Sequence, residues 1–585
     1  MEVSLQQKNI SLTAPSSSFV HCSLSPWCLK AGLEKFSKYK HNITVLTATV
    51  NEDMAVVAKR IIDTSPDILG ICCYIWNIAF IKELLPMLKV ALSNCLFVAG
   101  GPELLSDDAF DRLPEADYII LGEGEVPFAK LVDALIEGKS PDNIDGVMVK
   151  GVSRVDTYYH YDIPVMPYDD SYFKQLKGRI SYIESSRGCP FSCTFCLSGR
   201  REKVRYLPME ETKKRILLLA NGDSKTIKFV DRTFNANLNR AKEIISFIKE
   251  KRESGEIPQD ICFHFEMAGD LIDDGIVELF SQSPAGLFQI EVGIQSLNEA
   301  TLEAIQRITD VEKIKTQLEK IISFDTVRVH VDLIAGLPLE TLDSFIDAFN
   351  KVFTIKPHIL QLGFLKLLYG SKMRSQTEEY GITYNEHPPY EVISTKHMSS
   401  EDILLLKCAE HALELLYNRR RFVITMQLLA NKLPAFDLFL SLGDEILAKE
   451  KEKNAPLSLE ELTEAVYSYL TDKIPKYANE IKNTMLFDRL SSTATSFIPH
   501  CLRYESHMYN KLKDIINKKY PKEKNIHRAI AVTGNDDKAK VLWADYANKH
   551  PVTEHYKVNC VDVKTLLTNK AGLTEAIMPN RMIPF

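Results

Sequence analysis

Three cysteines in the segment SSRGCPFSCTFC, Cys189, Cys193 and Cys196, stand at C-x3-C-x2-C spacing directly after the strand-like run RISYIESS. A tight loop leaving a strand can turn all three sulfurs to one side. Three thiolates on a four-iron cluster leave one iron without a protein ligand, open to a nitrogen and an oxygen from elsewhere. The other readings are structural zinc or three ordinary buried thiols. Zinc needs a fourth ligand, and no His or Cys stands close by in sequence to provide it.

The elements that must position this loop follow in series. RISYIESS, TIKFVDRTFN, ICFHFEMAGD, LFQIEVGIQS, VRVHVDLIAGLP and HILQLGFLKLL read as six strands, each but the last followed by a helix-like segment. Six β/α units predict a partial (β/α)6 barrel over 179–371, and barrels of this kind place chemistry at strand C-termini. Those ends carry Asp231 and Asn235, Glu266, Glu291 and Gln295, and Asp332. Any one of them is equally an ordinary satisfied polar residue, and the case rests on the set.

The cysteine loop and the six strands resemble the radical S-adenosylmethionine (SAM) superfamily. The resemblance implies that the open iron takes the amino and carboxylate groups of SAM. Electron transfer into the sulfonium then breaks a carbon–sulfur bond and makes a deoxyadenosyl radical. IEVGIQS and DLIAGLP resemble the family's fourth- and fifth-strand motifs. Asp231, Asn235, Glu266, Glu291, Gln295 and Asp332 are then the expected SAM contacts, with Glu266, Gln295 and Asn235 foremost. Phe195 would shield the cluster and pack near the adenine. Arg307 is a candidate for the ligand carboxylate, or a solvated arginine. Such a cluster also implies an electron donor such as flavodoxin or ferredoxin.

Ahead of the barrel, ISLTAP, ITVLTATV, DILGICCYIW, CLFVAGG and DYIILGEGE alternate with amphipathic stretches at 25–39, 53–64, 78–92 and 126–138. This predicts a flavodoxin-like, doubly wound parallel sheet over residues 1–140. Open sheets of this kind bind ligands beyond their strand C-termini, here SSSF, YIWN, AGGPE and GEGE. Ser17, Tyr74, Trp76, Gly100, Gly101, Glu123 and Gly124 are the candidate contacts. The arrangement resembles the cobalamin-binding domain of one branch of the superfamily, which implies bound cobalamin. The D-x-H-x-x-G motif that supplies a cobalt-ligating histidine in many such domains is absent, so the lower face of the corrin is not expected to be held that way. His21 is a weak alternative ligand, simple packing is the other reading of Tyr74 and Trp76, and a vestigial domain is the other reading of the whole.

Residues 141–178 are rich in Pro, Tyr and Asp and read as a linker. Residues 372–585 turn to long amphipathic stretches and predict a mostly helical C-terminal region, within which HRAIAVTGNDDKAKVLWADYANKH reads as strand, turn and helix. This region resembles an uncharacterised extension found on some cobalamin-type radical proteins. The 585 residues, 45% hydrophobic and 25% charged with a net charge of -7, describe an ordinary globular chain of several domains. The charge argues weakly against nucleic acid as a partner. GRREKVR at 199–205 could steer an anionic substrate or be a solvated face. No apolar run is long enough to span a bilayer, no signal pattern opens the chain, and twelve sparse cysteines suit a reducing cytoplasm.

These features together predict a cobalamin-dependent radical methyltransferase acting on an unactivated centre of an unknown substrate. The resemblance alone implies the methyl step: one SAM methylates cobalamin and a second gives the radical. The alternatives are radical rearrangement, oxidation or methylthio transfer without methylcobalamin, and a cofactor-binding sensor with no turnover.

Overall fold

Each of the first three β-rich runs is followed by a helix, and the fourth by a longer connection of short helical turns, which carry the chain back to the same end and lead to parallel pairing of the five strands. In the computed structural model these runs are β1 (Asn9–Thr13), β2 (Asn42–Leu46), β3 (Ile68–Cys72), β4 (Leu96–Gly100) and β5 (Tyr118–Ile120). Their order is β2-β1-β3-β4-β5, all parallel, the flavodoxin-like order. Successive residues point to opposite faces, and two cores result. Ile10, Leu12, Ile68 and Val98 pack with Leu33, Phe128 and Val132 of helices Ser25–Phe36 and Glu125–Glu137. Leu69, Ile71, Phe97 and Ala99 pack with Val57, Ile61, Ile81 and Leu85 of helices Met54–Ile62 and Ile78–Ala91.

The structure describes residues 7–106, 108–152, 165–198, 203–534 and 539–567, with the backbone of Glu575–Ile577. The expected linker lies partly outside these residues, at 153–164. Its first part is not a linker but β6 (Val147–Val149), antiparallel to β5 at the sheet edge. Three residues are too few to show a period, which is why composition alone misplaced them.

The chain divides into two units, one of Met1–Glu266, Glu303–Ile308 and Phe364–Lys396, the other of Met267–Leu302, Thr309–Gly363 and His397–Phe585. Within the first, β7 (Ser181–Ile183), β10 (Thr226–Phe229) and β11 (Cys262–Met267) pair in parallel in that order. A short hairpin of β8 (Ser186–Arg187) and β9 (Arg205–Tyr206) brackets the cysteine loop. Phe229, Phe234 and Phe265 pack on one another in the core beside β10 and β11, with the Phe234 and Phe265 ring centroids 4.0 Å apart.

In the second unit, β12 (Phe288–Gln295), β13 (Val327–Ala335) and β14 (Ile359–Phe364) follow one another in the sheet, β12 and β13 in parallel. Both strands alternate strictly between buried and half-buried positions, so Glu291, His330 and Asp332 share one face while Ile290, Val292, Val329 and Val331 line the other. Beyond the strand ends, the buried Glu340 carboxylate accepts a 2.5 Å hydrogen bond from the Ser296 hydroxyl, which itself accepts from the Asn298 N–H.

The C-terminal region is mostly helical, with long helices at Ser400–Ala412, Ala435–Lys453, Leu459–Lys473 and Ala478–Ser492. One expectation is overturned. KVLWADYANK, read as a helix, is the strand Lys540–Lys549, central in an antiparallel sheet with Arg528–Thr533, Tyr556–Asp562 and Glu575–Ile577. Val541 and Trp543 pack against Leu512 and Ile516 of helix Tyr509–Lys519, while Leu542 and Ala544 are fully buried on the other face. Burial on both faces erases the period of two that marks a strand.

Two consequences can be measured by urea unfolding. Gly101 has φ +111°, and a Cβ there would lie 2.4 Å from the Cys73 carbonyl oxygen. Gly101→Ala is expected to cost about 2–4 kcal/mol, whereas Gly138→Ala, at φ +63° with nothing within 4 Å of the added carbon, costs about 1 kcal/mol. In the second unit, burial pushes the Glu340 carboxyl up from 4.5 to about 7. Between those values the folded chain keeps a proton that the unfolded chain has lost, so stability falls as pH rises through this window, by up to about 3 kcal/mol. Glu340→Gln removes that slope. An unchanged slope would show that Glu340 is ionised in the fold throughout.

Candidate functional site

The cysteine loop leaves β8 through Gly188, whose φ of +94° turns the chain sharply. It is held from two sides: the Thr194 N–H donates to the Ile305 carbonyl (3.0 Å) and the Met373 N–H donates to the Thr194 carbonyl (2.8 Å). Each sulfur has its own polar neighbour. Cys189 Sγ lies 3.3 Å from the Thr233 hydroxyl, Cys193 Sγ accepts from Arg307 at 3.8 Å, and Cys196 Sγ accepts from the Ser198 N–H at 3.4 Å. Burial pushes the Cys193 thiol up, and the Arg307 guanidinium draws it back toward the thiolate. Groups of three ligand atoms gathered within 4.8 Å, as a single ion requires, do not include these sulfurs among the described residues. The donor set therefore suits a multi-iron cluster and not zinc. Phe195 sits half-buried between the second and third cysteines.

The strand ends of the first unit place the predicted contacts unequally. Asp231 is 2% exposed, and its carboxylate accepts from the Ser185 N–H (2.8 Å) and from the Ser185 and Ser186 hydroxyls (2.6 Å each). These bonds pin the end of β10 to the start of the cysteine loop, so the carboxylate is occupied within the fold. Burial nevertheless pushes its carboxyl up. Asn235 is fully buried in the turn after Phe234. Glu266 faces a cavity and pairs with Lys228 at 3.1 Å.

That cavity, about 930 Å³, is the main feature of the first unit. Ser17, Tyr74, Trp76, Gly100, Gly101, Glu123 and Gly124 all line it from the sheet of β1–β5, and Gly188, Leu197 and Ser198 of the cysteine loop line it as well. Tyr74 and Trp76 stack with ring centroids 4.4 Å apart and 6° between planes, and Trp76 remains 45% exposed. This leaves a flat aromatic surface open to a large ligand. Gly100 and Gly124 keep the strand ends bare of side chains, as close approach of a macrocycle demands. His21 also lines the cavity, its Nδ1 2.6 Å from the Tyr182 hydroxyl.

Glu123 is engaged in a charge cluster that sequence reading missed. Arg187, two residues before Cys189, reaches Glu184 at 2.8 Å, Glu125 at 2.6 Å and Glu123 at 3.2 Å, and Arg205 pairs with Glu123. Burial pushes the Glu184 carboxyl up against the pull of Arg187. A signal existed: GEGE puts two acids at a strand end, and the loop opens with an arginine.

In the second unit, Glu291, His330 and Asp332 gather on neighbouring strands, with His330 Nε2 2.9 Å from Asp332 and Nδ1 4.0 Å from Glu291. His330 was legible from the period of two that places it beside Asp332. Gln295 adopts φ +73° at a register shift, its amide nitrogen filling the space over Gly293 and its buried Oε1 lacking a donor. That orphaned oxygen fits a ligand hydroxyl or amine. Glu340 and Ser296, also missed, lock the same strand end.

Comparison with known proteins follows these sites. The B12 binding domain family matches residues 23–132, the Radical SAM superfamily matches 183–352, and a protein family of unknown function, DUF4080, matches 378–558. The chain is 28% identical over 320 residues to the 2-(S-pantetheinyl)-carbapenam-3-carboxylate methyltransferase of Streptantibioticus cattleyicolor, covering 50% of this chain and 46% of the relative. It is 26% identical over 328 residues to the cobalamin-dependent radical SAM methyltransferase TokK of Streptomyces tokunonensis, covering 51% and 47%. The chain thus spans about half the length of these relatives. Among solved structures, the cobalamin-dependent SAM radical enzyme OxsB shares the fold, with TM-score 0.58 at 14% identity over 83% of this chain and 84% of that one. The two matched cofactor domains imply a 4Fe–4S cluster with SAM, and cobalamin. The three thiols on one loop and the bare, aromatic-walled cavity fit them. The chain belongs to the radical S-adenosylmethionine superfamily, in the branch with a B12-binding domain ahead of the radical domain, and it ends in a DUF4080 domain.

Proposed function

We propose that this chain is a cobalamin-dependent radical enzyme that cleaves SAM and transfers a methyl group to an unactivated centre of its substrate. The observation that carries this reading is a cavity of the first unit lined both by the strand ends of the B12-type sheet and by the cysteine loop. When bound, the cluster supplies the electron that breaks a carbon–sulfur bond of SAM, and cobalamin supplies a carrier for the methyl group.

The chain's own residues do the holding. Cys189, Cys193 and Cys196 are the cluster ligands. Glu266 offers acceptors for the SAM ammonium or ribose, Phe195 stands within the cysteine loop, and Asn235 follows Thr233, which contacts Cys189; in the second unit, taken by itself, Gln295 offers an acceptor of the same kind. Tyr74, Trp76, Gly100, Gly101 and Gly124 shape the corrin side of the cavity. In the B12-type domain, Cys22, Cys28, Cys72, Cys73 and Cys95 lack the spacing for a second cluster, which separates this reading from methylthio transfer. All twelve cysteines are free thiols and no helix among the described residues is long and apolar enough to cross a membrane, in keeping with a cytoplasmic enzyme served by a flavodoxin- or ferredoxin-like donor.

The test is anaerobic. Reconstituted protein with reductant, SAM and hydroxocobalamin should yield deoxyadenosine and S-adenosylhomocysteine and retain corrinoid on gel filtration. Changing all three cluster cysteines to Ala should lower deoxyadenosine at least about 100-fold. Deoxyadenosine that survives the triple change would overturn the cluster assignment, and failure to retain corrinoid would overturn methyl transfer while leaving radical cleavage standing.

A further inference from the structure

The three cluster sulfurs are met by three chemically different groups, and only one carries a charge. The Ser198 N–H reaches Cys196, the Thr233 hydroxyl lies beside Cys189, and the Arg307 guanidinium reaches the buried Cys193. Arg307 comes from the short stretch Glu303–Ile308 that belongs to the first unit, and its neighbour Ile305 accepts from the Thr194 N–H in the loop itself. This backbone bond fixes the distance between the arginine and the loop, so the contact does not depend on the side chain alone. Thr233 is tied to its own site as well, its hydroxyl 2.8 Å from the Arg232 carbonyl.

Resting on the cluster assignment above, we propose that Arg307 is a positioning residue that sets the reduction potential of the cluster through the sulfur of Cys193. Reduction adds an electron whose charge spreads onto the sulfurs. A cation and donor held against one of those sulfurs stabilises the reduced form over the oxidised one and raises the potential, as hydrogen bonds to cluster sulfurs do in general. The burial of Cys193, 8% exposed, keeps water from screening the interaction. Thr233 acts in the same direction more weakly, since its hydroxyl is neutral and has the Arg232 carbonyl as a competing acceptor. The arrangement eases delivery of the electron from a donor of modest reducing power.

The alternative occupant of this guanidinium is the carboxylate of SAM, and the two roles separate when the potential is measured without SAM. Wild-type protein, Arg307→Lys, Arg307→Met and Thr233→Val are reconstituted, their iron and sulfide counted, and the cluster titrated by EPR-monitored redox potentiometry in the absence of SAM. Arg307→Met is expected to lower the reduced-to-oxidised ratio at the wild-type midpoint at least tenfold, which for a one-electron couple is a 59 mV shift to lower potential. Arg307→Lys, which keeps the charge, should shift less, and Thr233→Val should shift in the same direction by less than Arg307→Met. An unchanged SAM-free potential in Arg307→Met with a full cluster would overturn the proposal, and weaker SAM binding in that variant would then assign Arg307 to the SAM carboxylate. Wild-type protein that takes up no cluster would instead overturn the cluster assignment, so the two failures are distinct.

Discussion

The Arg187 guanidinium sits among Glu123, Glu125 and Glu184 at 3.2, 2.6 and 2.8 Å, and the placement of the cysteine loop depends on it. Glu123 and Glu125 leave the end of β5, and Glu184 leaves the end of β7. Arg187 lies in β8, two residues before the first cluster cysteine. One fivefold donor thus ties the mouth of the first sheet to the mouth of the radical domain's first strands. The cluster is partly buried, so removing one member leaves the remaining charges without a partner in an environment that water screens only in part. Its importance here is chiefly geometric. The strand ends of the first sheet and the cysteine loop are made to share one cavity.

The groups around that cavity are nearly all engaged. Lys228 pairs with Glu266, Arg205 with Glu123, and Arg187 with Glu184 and Glu125. A pocket whose charges are already balanced presents a flat, apolar and aromatic wall at Tyr74 and Trp76. Such a wall suits a large, weakly charged ring system better than a small polyanion. Within this unit the ligand-binding polar work falls to the three thiols on the cysteine loop.

Most of the architecture could be read from the sequence because its elements are long and regularly punctuated. The eleven strands read from the first sheet and the barrel all form within a few residues of their expected places, and the cysteine spacing pointed directly to its loop. What escaped had a physical reason in each case. β6 is three residues long and shows no period. The strand Lys540–Lys549 is buried on both faces at Val541, Leu542, Trp543 and Ala544 and there reads like any apolar run. Glu340 acts through Ser296, far away in sequence, and Arg187 reaches Glu123 and Glu125 across a similar separation, so the acids of GEGE and the arginine of the loop are visible singly while their pairing is not. Asp231 was legible as a polar strand end, but only the fold reveals that Ser185 and Ser186 already occupy it.

The shared cavity is tested most directly by placing two unpaired electrons in it. EPR spectra of protein holding both a reduced cluster and cob(II)alamin would be compared with spectra of protein holding either alone. One cavity lined by both cofactor edges predicts mutual broadening or splitting of the two signals through dipolar coupling. Two signals that simply add, unperturbed, in protein loaded with both would contradict it.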